Sequence, residues 1–303
     1  MKKMGIIIGF LLLFISWTAS ACDVCGCGNG GSFFGLLPQS HSSLLGVRYR
    51  TKSFDSHLQS TFFRAQEQFH TTEVYARFYP VNKVQVMAFL PYHTNQQTLV
   101  RDQSQQRLQG LGDATVLVHY ALWNTLFDST AHQWDHVLLV GGGVKAPTGK
   151  YQFDESRGEV ANANFQLGTG SWDFPISVNY TLRKGMNGLN VDFSQRFTTF
   201  NSQNYRFANR QMLAITYFQH RYVGKISWMP NVGITAERAG QDWKDGSRNP
   251  FTGAQLVQGT LGTEIYWGRW AVGATTYVPI TQQLSGGELK VKPNLQAHIT
   301  LNF

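Results

Sequence analysis

The sequence is poor in charge, poor in cysteine and, beyond its amino-terminal stretch, without a long hydrophobic run. Asp, Glu, Lys and Arg make up only 15% of the chain, against 14% aromatic residues. A transmembrane helix needs about 20 consecutive apolar residues, and none follows the first apolar stretch. A bundle of membrane helices is therefore excluded. What remains is a soluble protein, or a chain that crosses a membrane as a closed barrel. Catalytic signatures are missing too. There is no H-E-x-x-H metalloprotease helix and no G-x-S-x-G elbow. Gly141 to Lys150 reads GGGVKAPTGK, but its glycine spacing is one residue too long for a phosphate loop and Tyr151 stands where Ser or Thr is required. The nine histidines are scattered. No residue is singled out as catalytic, and the expectation is a protein that is not an enzyme.

What is present begins with Lys2 and Lys3, an apolar run from Ile6 to Trp17, and Ala19-Ser20-Ala21. This is the pattern of a secretory signal peptide with an A-x-A cleavage site, placed at residues 1–21. Residues 22–41 then form a Cys/Gly-rich periplasmic segment. All three cysteines lie within it, in Cys22-Asp23-Val24-Cys25-Gly26-Cys27. Closely spaced thiolates can wrap one soft ion such as copper or zinc. Cys22 is also the residue that a lipoprotein signal would acylate, and an oxidising compartment permits a disulfide with one thiol left over. Metal, lipid and disulfide all stay open for Cys22, Cys25 and Cys27.

Residues 42–303 alternate between apolar and polar positions, the period of a strand with one greasy and one wet face. Leu295, Ala297, Ile299, Leu301 and Phe303 oppose Gln296, His298, Thr300 and Asn302. Trp172 to Arg183, Leu189 to Thr198 and Lys225 to Glu237 follow the same rule. The pattern predicts twelve strands, at 43–54, 70–80, 84–97, 112–122, 134–147, 172–183, 188–200, 206–218, 223–237, 255–267, 270–281 and 288–303. Tight turns are expected after Val81, Lys184, Gln219 and Trp267, and long loops at 55–69, 98–111, 148–171 and 238–254. Barrels of the outer membrane put short turns in the periplasm and long loops outside. Trp123, Trp134, Trp172, Trp267 and Trp270 fall near strand ends, where interfacial girdles lie. A sandwich would show the same alternation with its greasy face inward. The export signal, the even count and the terminal Phe303 favour an all-β, antiparallel, up-and-down transmembrane barrel.

In that register the wet faces carry Arg48, Arg50, Lys52, Arg77, Lys145, Arg183, Arg196, Lys225, Lys290 and Lys292, against Glu73, Asp173, Asp192, Glu237 and Glu264. The excess of cations predicts a pore lined by positive charge, and pore selectivity follows lining charge. The formal charge of the chain is +8. Nucleic acid is not an expected partner, because the chain is exported and has no basic cluster interleaved with aromatics.

Three stretches together resemble the outer-membrane transporter family named for the MetA-pathway of phenol degradation. They are Gly110-Leu111-Gly112-Asp113, Lys145-Ala146-Pro147-Thr148-Gly149 and Gly168-Thr169-Gly170-Ser171-Trp172. The closing strand agrees, and some members are similar in an N-terminal CDxCGCG segment, here Cys22 to Gly28. The resemblance implies an outer-membrane barrel passing small, often aromatic, molecules, and it brings no set of site residues with it. The expectation is thus a passive channel for small, anionic or aromatic solutes in the outer membrane of a Gram-negative bacterium. Its partners would be outer-membrane lipid and the barrel-assembly machinery. The competing expectation is a metal-handling protein that uses the Cys segment and keeps the barrel as an anchor.

Overall fold

The computed structural model describes residues 42–127, 133–151 and 165–303. The signal peptide and the Cys segment, with Cys22, Cys25 and Cys27, lie outside the described residues. Twelve antiparallel strands close into one barrel. They are β1 (Leu44–Ser56), β2 (Ala65–Val81), β3 (Val84–Leu99), β4 (Gln105–Leu111 and Thr115–Asn124), β5 (Asp135–Lys145) and β6 (Asp173–Lys184). Then follow β7 (Asn187–Thr198), β8 (Arg210–Gln219), β9 (Ile226–Ala239), β10 (Ala254–Trp267), β11 (Trp270–Leu284) and β12 (Leu289–Val291 and Asn294–Asn302). Each strand pairs with its sequence neighbour, and β12 returns to β1, from Leu44 opposite Asn302 to Arg50 opposite Gln296. Closure leaves no open sheet edge, the condition for backbone groups in hydrocarbon.

The burial pattern decides between barrel and sandwich. Phe174 and Ile176 on β6 are exposed, while Asp173, Ser177, Asn179 and Thr181 between and beyond them are buried. Val232 and Ile234 on β9 are exposed, and Asn231, Thr235 and Glu237 are buried. The greasy half of the zigzag faces out and the polar half faces in, the reverse of a sandwich core. One Asp or Arg on a lipid-facing position near the bilayer centre costs up to about 2–4 kcal/mol, and from Phe174 to Leu182 and from Leu189 to Phe197 the outward residues carry no charge. The fold is that of an outer-membrane β-barrel.

Tight turns gather at one end. Gly185, Gly224 and Gly268 occupy them with φ near +60°, which glycine adopts without a Cβ clash. Trp123, Trp134, Trp267 and Trp270 are exposed at this same end, and Trp172 immediately precedes β6 at the other. On β5, a Cβ at Gly143 would stand 1.9 Å from the Val116 carbonyl oxygen on β4. The glycine run of β5 is therefore a close approach of two strands.

Two of the expected long loops are shorter. β2 begins at Ala65, and residues 105–111 continue β4 upward as the partner of β3. The pairing Tyr92–Leu111 becomes Phe89–Thr115, so three steps on β3 meet four on β4. The extra residue is a bulge at residues 112–114. A second bulge lies in β12, where Phe54 faces Val291 but Arg50 faces Gln296. Pro293 has no N–H for the ladder, and past it the faces exchange.

Candidate lumen site

The inward side chains form two charged neighbourhoods. The first lies where β4, β5 and β6 meet the connection after β5. Lys145 Nζ donates to Asp113 Oδ2 at 2.5 Å, lies 3.1 Å from Asp173 Oδ2 and contacts Thr169 Oγ1. Asp113 also accepts from the Gly149 N–H at 3.0 Å and the Thr169 N–H at 2.9 Å. Ser171 Oγ donates to Asp173 at 3.2 Å, and Thr148 Oγ1 donates to the Gly112 carbonyl at 2.7 Å. The bulge at Gly112-Asp113 aims the carboxylate inward, and the three stretches that carry the family resemblance converge on it. Their meeting folds part of the connection into the barrel. Residues 165–169 are all buried, and Asn95 Nδ2 holds the Phe165 carbonyl at 2.8 Å.

Phe165 completes an apolar layer at the long-loop end, packing with Phe54, Phe69, Leu256, Leu284, Leu289 and Val291. Outside it, the connections β7–β8 and β9–β10 fold together. Asp242 accepts from the Tyr205 hydroxyl at 2.5 Å and the Ala208 N–H at 2.7 Å. Burial pushes the Asp242 carboxyl up to about 6. Arg206 and Arg248 both lie over the Trp243 ring.

The second neighbourhood lies on the barrel-centre side of the apolar layer. Glu73 accepts from both Arg48 and Arg50, the latter at 3.0 Å. Arg210 pairs with Glu237 at 2.6 Å. Beside them is an empty space of about 470 Å³, including volume open to solvent, lined by Arg50, Lys52, Met212, Glu237, Gln258, Tyr277 and others. Here two guanidinium groups share one carboxylate, and Lys52 adds a further cation.

Of the cations expected to line the pore, Arg48, Arg50, Lys52, Arg77, Lys145 and Arg196 stand on inward positions. Arg77 is 2% exposed and donates to the Ser42 carbonyl. Arg183 stands at the tight-turn end in a half-exposed pair with Asp135 at 2.9 Å. Lys225 is not on a wall: it is exposed in the turn after Gly224. Lys290 is also misplaced by the alternation. It is exposed, because the bulge at Pro293 turns Leu289 and Val291 inward in its stead. Lys292, at the bulge, pairs with Asp55 at 2.7 Å.

Arg210, Glu67 and Asp113 are inward residues the alternation left unmarked. Glu67 is 0% exposed and accepts from Ser56 and Gln97. Among the described residues the inward cations Arg48, Arg50, Lys52, Arg77, Lys145, Arg196 and Arg210 are matched by Glu67, Glu73, Asp113, Asp173, Asp192, Glu237 and Glu264. The expected surplus along the whole wall is absent. Around the empty space the described charges are Arg48, Arg50, Lys52 and Arg210 with Glu73 and Glu237.

The barrel also brings together two Ser–His pairs among the described residues, and in one His220 Nδ1 lies 3.4 Å from Ser227 Oγ near the tight-turn end. In the other, His119 Nε2 lies 2.7 Å from Ser177 Oγ. His119 and Ser177 are almost fully buried. Among the described residues no three His, Cys, Asp or Glu side chains cluster as metal ligands.

No family model and no curated protein matches the chain. Solved structures do. An outer membrane channel from Pseudomonas putida F1 is 13% identical, with 95% of this chain and 100% of that chain covered and a TM-score of 0.65. The beta domain of the Bordetella autotransporter BrkA is 10% identical, covers 86% of this chain and 100% of its own, and gives a TM-score of 0.52. Both are likenesses of fold.

Proposed function

We propose that the barrel is a narrow, passive outer-membrane channel for small organic anions, aromatic carboxylates among them. The observation that carries this reading is the space bordered by Arg50 and Lys52, where Glu237 is already engaged by Arg210 and Glu73 is shared by two arginines. A carboxylate entering there meets the Arg50 and Lys52 cations directly, and charges attract more strongly in a confined lumen than in bulk water. Tyr277 and Met212 on the same lining offer an apolar surface to a ring. The buried residues 165–169 and the apolar layer narrow the way in from outside, so the channel favours small solutes over bulk flow. Placement beside the phenol-degradation type of outer-membrane transporter is supported by the convergence of its three motif stretches on Asp113. The likeness of fold to the Pseudomonas putida channel supports transport as the general role.

Uptake into proteoliposomes tests it. Benzoate is expected to enter severalfold faster than benzylammonium of similar size, and Lys52→Glu is expected to narrow that difference. Equal uptake of both ions, or faster entry of the cation, would remove the proposal.

A further inference from the structure

On the outer surface, a row of polar side chains across β8 to β12 breaks the apolar pattern. Gln211 on β8 faces Arg238 on β9, Arg238 faces Gln255 on β10, and Gln255 faces Gln283 on β11. The pairing of Leu284 with Leu289 sets Lys290 of β12 next in line. All five side chains point outward and are exposed, close to the long-loop end. One rung nearer the membrane centre the outward residues are Leu213, Ala236 and Val257 on β8, β9 and β10, followed by the small Thr281 on β11. The row therefore lies where hydrocarbon gives way to headgroups.

Neither the Arg238 nor the Lys290 side chain forms a hydrogen bond or ion pair with another described residue. Two carboxylates stand near Lys290. Asp55 is opposite it on β1 and is taken up by Lys292 at 2.7 Å, and Glu288 accepts from the Gln59 N–H at 3.1 Å. Arg238 has only glutamines beside it in the row, which makes it the stronger anchor. Strands in a sheet lie about 4.8 Å apart, so β9 and β12 place the two cations roughly 14 Å from one another. Two glutamine amides fill the interval, each able to donate and to accept.

We infer that this row seats one glycolipid of the outer leaflet, a disaccharide bearing a phosphate at each end. Arg238 takes one phosphate through its planar fork, Lys290 takes the other, and Gln255 and Gln283 bond the sugar hydroxyls between them. The acyl chains then lie along Leu213, Ala236 and Val257. This inference rests on the orientation of the barrel in its membrane and is independent of what crosses the lumen.

Native mass spectrometry of the refolded full chain in detergent tests it, with diphosphoryl and monophosphoryl forms of an acylated glucosamine disaccharide as probes. The wild type is expected to retain the diphosphoryl form preferentially. Arg238→Gln is expected to lower that retention about tenfold, the size of one lost charge-assisted hydrogen bond, and Lys290→Gln to lower it less. Lys150→Gln removes an exposed cation away from the row and is expected to change nothing. Equal retention of the two probes, no effect of Arg238→Gln, or an equal effect of Lys150→Gln would overturn the inference. Unaltered heat-modifiability on gels shows that each variant is folded. Glycolipid preference without anion uptake would count against the transport reading alone.

Discussion

The two charged neighbourhoods of the lumen use the same residue types to opposite ends. Around Lys145 every charge has its partner: two carboxylates, backbone N–H groups from Gly149 and Thr169, and the Thr169 and Ser171 hydroxyls. Around Arg50 and Lys52 the described charges are Arg48, Arg50, Lys52 and Arg210 with Glu73 and Glu237, and beside them lies an empty space of about 470 Å³ that includes volume open to solvent. A network closed on itself holds shape, and one whose cations border open volume can meet a visitor. The first neighbourhood braces the wall and the inserted connection. The second is the place proposed for a solute.

Breaking the brace should have the largest effect. Lys145→Met leaves Asp113 and Asp173 buried beside each other without a cation, which is expected to cost about 3–5 kcal/mol. Thermal unfolding followed by heat-modifiability would show it, and single-channel conductance should rise as residues 165–169 leave the lumen. A change below about 1 kcal/mol would erase the distinction between brace and site.

The clasp over the long-loop end gives a smaller, pH-dependent effect. The Asp242 carboxyl is held up at about 6 in the folded state by burial, above its ordinary 3.8. The folded state then binds the proton more tightly than the unfolded one, so stability is greatest below about pH 4 and falls as pH rises toward 6. The total is at most about 3 kcal/mol at 1.36 kcal/mol per pH unit. Limited proteolysis of the outer connections should therefore quicken between pH 4 and pH 7, and Asp242→Asn should flatten that dependence.

On the other side of the comparison, Lys52→Glu should shift ion selectivity severalfold while changing stability by less than about 1 kcal/mol, as for a charge with some access to water. The smallest effect is expected from replacing Cys22, Cys25 and Cys27 together by Ser. Solute flux should stay within about twofold, since a change that leaves the barrier within 0.4 kcal/mol does no more. Flux lost along with bound copper or zinc would instead favour the metal-handling reading.

Every strand was legible in the sequence because lipid enforces the alternation. Wherever hydrocarbon wets one face, as from Phe174 to Leu182, a polar residue there is costly and the period of two is clean. Where lipid ends, so does the signal. Gln105, Arg107 and Gln109 are outward residues of a strand that runs beyond the apolar band, and they read as loop. Lys290 was set on the wrong face because a one-residue bulge exchanges the faces without changing composition. The charge balance of the lumen was illegible for a different reason. Glu67 and Arg210 sit at strand ends where alternation is weak, and Asp113 sits on a bulge. Sequence shows which residues face inward, whereas the sharing of Glu73 by Arg48 and Arg50 depends on how strands shear past one another.

Reversal potential in a planar bilayer under a tenfold KCl gradient examines the lumen most directly. Single channels of the purified barrel should reverse at the sign set by chloride, and Lys52→Glu should move that potential toward zero. Channels that reverse at the sign set by potassium, or a folded barrel that passes no current, would contradict the cationic solute path.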